Sequence, residues 1–340
     1  MRYRLSDMND SAWQDLLAEF RELGGIAENI CLRDGVYGRG LFPLDPAKPV
    51  AIRIPDHLLA DAAWAEFHDG VFRLAPDAKM GSRERSFVEN YQNTLSWGGA
   101  ARGDLERIVE QAQQVPPELR QALTSEFHCG PWFADPTNRL VEELFVGSRP
   151  IRYKGRTVFM PFVELANHGA GPPIFTRDGV WIHGTFSGEV LVKYADFDSH
   201  GMFMTWGFAA DQPQAFSIAL QGKVGQRPVQ IGRMLGGLDP AKEVWSPQLL
   251  RTQDVVNLEF LMIGNRRHPR ESKPIFRALM RGAGLSDFET AFETIQHANR
   301  LHFLNLLAAV EDVDGAMALT LRRMARFQLH AMSYCYGGAS

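Results

Sequence analysis

Cysteine is scarce in this chain. There are three in 340 residues, at positions 31, 129 and 335, too few and too scattered for a disulfide framework or a four-cysteine zinc site. A reducing cytoplasm is the compartment this usage suits. Excess positive charge is also missing: 36 basic residues stand against 40 acidic ones, for a net charge of −4. That leaves no electrostatic footprint for sequence-independent nucleic-acid binding. No run approaches the roughly 18 apolar residues that span a bilayer, and the start, Met-Arg-Tyr-Arg-Leu-Ser-Asp, lacks the apolar stretch of a secretion signal. The expectation is a protein that works without a membrane, a metal or a nucleic acid. What is present is ample apolar material: 45% of residues are hydrophobic, enough for two domains or one elaborated domain.

Periodicity divides the chain into four stretches. In 1–81, Ser11 and Gln14 form a capping box ahead of an apolar stripe of Trp13, Leu16, Leu17, Phe20 and Leu23, which Gly24-Gly25 stops. Short apolar runs follow, with Val50, Ile52 and Ile54 alternating against Ala51 and Arg53. Residues 82–146 have helical spacing broken at Pro116-Pro117 and Asp135-Pro136. Residues 147–235 return to short strands: Val158 to Val163, Val180 to Ile182 and Val190 to Val192. From 236 to 340 the pattern is helical, with a helix starting near Pro274, another capped by Ser286, and a last one striped by Met317, Leu321, Met324, Phe327 and Ala331. The fold class is α+β: short strands interrupted by a helical insert, then an all-helical lobe.

Several chemistries lack their motifs. Gly38-Arg39-Gly40 is followed by Pro43 where a dinucleotide fingerprint needs glycine, and no phosphate-loop lysine-serine pair exists. Gly184-Thr185-Phe186-Ser187-Gly188 places its serine one position too late for a nucleophile elbow. His128-Cys129 is the one adjacent pair of soft ligands and reads as buried structure, so no metal is assigned.

Three segments carry more. The first is Gly38-Arg39-Gly40-Leu41-Phe42, where two glycines let backbone approach a ligand without a Cβ in the way. The second is the apolar run Val158 to Leu165 leading into Ala166-Asn167-His168-Gly169, with Ser148-Arg149 upstream. The third is Gly188-Glu189, an apolar strand, Tyr194, a polar loop through His200, and Trp206-Gly207-Phe208. Taken singly, these also read as a tight hairpin turn, a polar turn ending a strand, a surface arginine, and a core aromatic pair of Tyr194 with Trp206.

Taken in order and spacing from about residue 10 to 215, they resemble the SET-domain protein methyltransferases, in the branch of the RuBisCO large-subunit lysine methyltransferases. The resemblance implies a SET-type β-fold with a helical insert and a helical substrate-binding lobe at 236–340. It implies S-adenosylmethionine as cofactor, held by Gly38, Arg39, Gly40, Arg149, Asn167, His168, Tyr194 and Phe208. It makes Tyr194 the catalytic tyrosine, with Trp206 and Phe208 as walls of the substrate channel. The implied activity is in-line methyl transfer to a lysine of a protein substrate. The chain departs from the pattern at Gly169, usually Ser or Thr, at His200, usually Asn, and at Trp206, where many members have a second tyrosine. The last two keep two other readings open: methylation of a protein histidine, as by a relative in this branch that also lacks the second tyrosine, and a silent SET-like domain that binds peptide or cofactor without turnover. Three cysteines cannot build the zinc cluster that closes the lysine channel of many histone-directed members, so helical packing with Trp206 and Phe208 has to close it here.

Overall fold

The alternation of β-branched residues at 50, 52 and 54 produces the strand Val50–Ile54, whose odd-numbered neighbours Ala51 and Arg53 point away from the core. It pairs antiparallel with Ile26–Glu28 on one side and Val180–Gly184 on the other. The register sets Ile52 between Ala27 and Ile182, all three buried. The computed structural model describes residues 10–134, 137, 139–169, 179–232, 248–251, 255–285 and 288–333.

The chain divides into two compact units, one of residues 1–107 and 136–195, the other of residues 108–135 and 196–340. The expected cuts at 81, 146 and 235 follow changes of secondary structure, whereas these units follow packing, so the helical stretch 82–146 is shared between them. Besides this three-stranded sheet the first unit has three separate two-stranded hairpins: Ile30–Gly35 with Gly38–Pro43, Ala65–His68 with Val71–Leu74, and Ile151–Tyr153 with Arg156–Val158. The helix Asp10–Glu22 buries Trp13, Leu16, Leu17 and Phe20, as its stripe predicts; Ser11 lies inside its first turn. Beside it runs Ser82–Thr94, with Phe87 and Tyr91 buried.

One expected strand ends early. Pairing stops at Val158, and Phe162 takes φ +65°, ψ −44°. With the Val163 N–H donating to the Pro161 carbonyl at 2.8 Å, this is a γ-turn of the strained hand, followed by a 3-10 turn over Val163–Leu165. Such a conformation costs on the order of 1–3 kcal/mol and persists where surroundings over-determine it. Here the Phe162 ring is wedged against Trp13 at 5.4 Å, Phe20 at 4.9 Å and Tyr91 at 5.1 Å between centroids. Burying the ring holds the turn that aims the following residues.

The second unit has a four-stranded sheet in the order Leu220–Val224, Arg227–Gly232, Val256–Glu259, Gln248–Arg251, plus the pair Gln214–Phe216 with Met262–Asn265. Three of these strands lie beyond 236, so that stretch is not all-helical. Val256, Leu258 and Met262 are each buried in alternation or succession along them, a spacing too short to separate strand from helix in sequence. Helices then occupy Ser272–Gly282, Glu289–Ala309 and Ala316–Ser333, the last burying Met317, Leu321, Met324 and Ala331. Ser286 and Cys335 fall outside the described residues. Among those described, no helix is long and apolar enough to cross a membrane.

Candidate functional site

The hairpin Ile30–Gly35/Gly38–Pro43 turns on Val36-Tyr37, with Gly38 at φ +93° completing the reversal. Gly40 faces inward, and its lack of a side chain has a specific use. A Cβ there would stand 2.3 Å from Glu189 Oε1 and 2.7 Å from Asn167 Nδ2. At Gly35 it would stand 2.7 Å from Glu189 Oε2. The glycines thus make room for two side chains of this protein, a carboxylate and an amide, where the sequence had suggested a tight hairpin turn or an approaching ligand.

Asn167-His168 follows the strained turn as a two-residue strand, parallel to Leu191–Val192. The Asn167 amide donates one proton to Glu189 Oε1 at 2.6 Å and the other to the Arg39 carbonyl at 3.2 Å. Both partners are acceptors only, so the amide can be placed in one way alone. Its Oδ1 accepts nothing among the described residues.

Tyr194 closes the same strand pair. Its backbone N–H donates to His168 Nδ1 at 3.3 Å, and its hydroxyl donates to the Ala166 carbonyl at 3.0 Å. The two rings lie 5.3 Å apart. Burial, with a smaller contribution from Lys193, pulls the His168 imidazole down to about 4. At neutral pH it is therefore uncharged, in keeping with Nδ1 as an acceptor. Burial raises the Tyr194 phenol above its ordinary value; Arg149 opposes this, and Glu189 and Glu164 add to it. Its hydroxyl stays protonated and acts as a donor.

Glu164 gathers a cluster of buried polar side chains that the sequence did not reveal. Glu164 is buried, and burial lifts its carboxyl to about 7 against the pull of Arg149, Ser96, Tyr91 and Gln92. Gln92 donates to Glu164 Oε1 at 3.1 Å, and Arg149 donates to the Glu164 carbonyl at 3.4 Å. The Tyr91 and Ser96 hydroxyls act on the carboxyl electrostatically but do not reach hydrogen-bond geometry with it. Arg39 extends toward the same region: one guanidinium nitrogen lies 3.5 Å from where a Cβ on Gly99 would be, and burial lowers its basicity while Asp34 and Tyr91 oppose the change. In the sequence Glu189 shows only as part of Gly188-Glu189 ahead of the apolar strand, and Glu164 only as a position three before Asn167; neither spacing marks a polar role.

Of the residues singled out in the sequence, Gly40, the Arg39 carbonyl, Asn167, His168, Tyr194 and, through Glu164, Arg149 come together in the first unit. Gly38 sits at the hairpin turn with nothing near its missing side chain. Trp206 and Phe208 lie in the second unit, on and just after the helix Ser199–Trp206, with ring centroids 6.5 Å apart. Their roles as channel wall and cofactor contact rest on the resemblance alone. His200 is buried in that helix edge-on to Phe303, at 5.6 Å. Of the pair read as buried structure, Cys129 is buried, which raises its thiol strongly, whereas His128 is exposed and turns the chain at φ +49°. Among the described residues no cluster of His, Cys, Asp and Glu has a metal-binding arrangement.

No protein-family model matches the chain, and no curated protein matches it in sequence. Solved structures are similar to it in fold. They include the SET domain of LSMT bound to lysine and AdoHcy, at 14% identity and a TM-score of 0.47, covering 96% of this chain and 90% of that one. Rubisco LSMT bound to AdoMet gives 14% identity and a TM-score of 0.43, over 96% and 91% of the two chains. Rubisco LSMT bound to sinefungin and monomethyllysine gives 14% and 0.40, over 95% and 90%.

Proposed function

We propose that this protein is an S-adenosylmethionine-dependent N-methyltransferase whose acceptor is a lysine of a protein substrate, working in the cytoplasm. The observation that carries the reading is the strand pair Asn167–His168/Leu191–Val192, which sets an amide oxygen with no partner among the described residues, a neutral imidazole and a protonated Tyr194 hydroxyl side by side. These groups fit the cofactor. Its amino-acid end carries an ammonium, and an amide oxygen beside the Glu189 carboxylate is suited to a cationic donor. When bound, the cofactor supplies a methyl group on a positively charged sulfur.

The chain's own residues then position rather than react. Because Tyr194 gives its proton to the Ala166 carbonyl, its oxygen meets an amine as an acceptor of N–H. That aims the amine's lone pair and converts the encounter into an oriented one. The raised phenol keeps Tyr194 from serving as a base at neutral pH. His168, neutral and weakly basic, is no acceptor for the lysine's proton, so an amine with an ordinary pKa near 10.4 gives it to water as desolvation in the site lowers that value.

Three measurements test this reading. Calorimetric titration with S-adenosylhomocysteine should give saturable binding; none would end the proposal. Incubation with radiolabelled cofactor and cell lysate should label a protein, and Tyr194→Phe should cut the rate by about 10²–10³-fold, the cost of losing one preorganised polar contact. Equal labelling by both proteins would remove Tyr194 from the mechanism. Mass spectrometry of the labelled residue should find lysine; a labelled histidine would replace the acceptor.

A further inference from the structure

The groups around Asn167 assign a role to a residue outside the set implied by resemblance. We infer that Glu189 is a positioning residue: by taking one Asn167 amide proton while the Arg39 carbonyl takes the other, it fixes the amide so that Oδ1 is the atom left to receive the ammonium of the cofactor's amino-acid end. The inference rests on the proposed cofactor class for its ligand and on geometry for its mechanism. An asparagine in a loop can present either end of its amide to a ligand, since the two ends differ little in shape. Here that ambiguity is removed by a carboxylate at 2.6 Å and a carbonyl at 3.2 Å, neither of which can donate.

Two further observations tie Glu189 to this task. Gly40 and Gly35 lack side chains on the face where the Glu189 carboxylate sits, and a Cβ at either would overlap one of its oxygens, at 2.3 and 2.7 Å. The residue after it, Val190, donates its N–H to the Leu41 carbonyl at 2.8 Å and has a buried side chain. The hairpin and Glu189 are thus held by backbone pairing, so the carboxylate is delivered to the amide by rigid elements. The arrangement selects a ligand by sign as well as by position, because the amide oxygen left open favours a cationic donor.

The test compares Glu189→Ala and Glu189→Gln with the parent protein. Calorimetry would use S-adenosylhomocysteine, which has the ammonium, and 5′-methylthioadenosine, which keeps the adenosine and thioether but lacks the amino-acid end. Glu189→Ala should weaken S-adenosylhomocysteine about 10- to 30-fold, with methylthioadenosine changed less than about 2-fold. Glu189→Gln still offers a carbonyl oxygen to the Asn167 amide and should stay within about 3-fold for both. In Asn167→Ala the added Glu189→Ala change should cost nothing more, since Glu189 acts through Asn167. Equal weakening of both ligands by Glu189→Ala, or a Gln variant as poor as the Ala variant, would overturn the assignment. A readout without ligand keeps it separate from the proposed function. In ¹⁵N-asparagine-labelled protein, the Asn167 side-chain NH₂ pair, identified by its loss in Asn167→Ala, should be widely split in the parent and Gln variant and collapse toward the free-amide position in Glu189→Ala. An unchanged pair in Glu189→Ala would overturn the inference even if S-adenosylhomocysteine binds normally; failure of the parent to bind with the splitting intact would overturn only the cofactor reading.

Discussion

Each unit buries a carboxyl group, and the two are treated in opposite ways. In the second unit Asp198 caps the helix Ser199–Trp206: its side chain accepts from the Gly201 N–H at 2.8 Å, the Phe216 N–H at 2.8 Å, and the Gln328 amide. Three donors on one buried carboxylate satisfy it and lock a helix, a strand and the helix Ala316–Ser333 together. In the first unit Glu164 has a single side-chain donor in good geometry, Gln92, and its second oxygen has no partner among the described residues. Burial, which that donor does not offset, drives its carboxyl up to about 7. A fully satisfied buried carboxyl marks a joint. An under-satisfied one, three residues from Asn167 and below Tyr194, marks a place where the fold has accepted electrostatic cost next to its candidate site.

The contrast gives its largest expected effect at Asp198. Asp198→Ala would remove the shared acceptor of three N–H donors and should destabilise the protein by about 3–5 kcal/mol in urea denaturation, at the upper end for a single substitution. A loss below about 1 kcal/mol would show that the joint is not made there.

Glu164→Gln should act through pH. The folded carboxyl titrates near 7, above its ordinary 4.5. Between those values the folded state holds the proton more tightly than the unfolded one, so stability is greatest below about 4.5 and declines as pH rises toward 7. At about 1.4 kcal/mol per pH unit this amounts to at most about 3 kcal/mol. Glu164→Gln should abolish that slope and so match or exceed the parent's stability at pH 8. Parallel pH profiles for the two proteins would remove Glu164 as the source.

His168 should give a slope of the opposite sign, and a smaller one because the residue is only half-buried. Its folded value near 4 lies below its ordinary 6.5, so the unfolded state takes up the proton first. This contribution is complete above about 6.5 and is lost as pH falls toward 4. His168→Asn should therefore flatten acid destabilisation by up to about 2 kcal/mol. An unaltered acid limb in that variant would contradict the half-buried, neutral imidazole.

Much of this was legible in order along the chain. The period-two run at Val50, Ile52 and Ile54, the stripe from Trp13 to Phe20, and the punctuation of the hairpins by glycine are local signals, and they placed the elements well. The Asn167, His168 and Tyr194 motif gave a candidate site for the same reason, since short motifs sit within one element or its end. The strand that ends at Val158 was read too long because Phe162 has no local reason to leave the extended conformation. It does so because Trp13, Phe20 and Tyr91, far away in sequence, enclose its ring. The strands at Gln248–Arg251, Val256–Glu259 and Met262–Asn265 were missed because four residues give no length over which helical and extended periods diverge.

The sequence by itself determined which residues are apolar, where the chain must turn, and that an amide, an imidazole and a phenol follow one another in a fixed order. Only the tertiary structure decided what those polar groups face. The Asn167 amide is oriented by Glu189, twenty-two residues later, and by the carbonyl of Arg39, far earlier, while Glu164 is raised by the absence of water around it. Hydrogen-bond direction and desolvation depend on neighbours brought from distant parts of the chain, and no spacing along the chain encodes them.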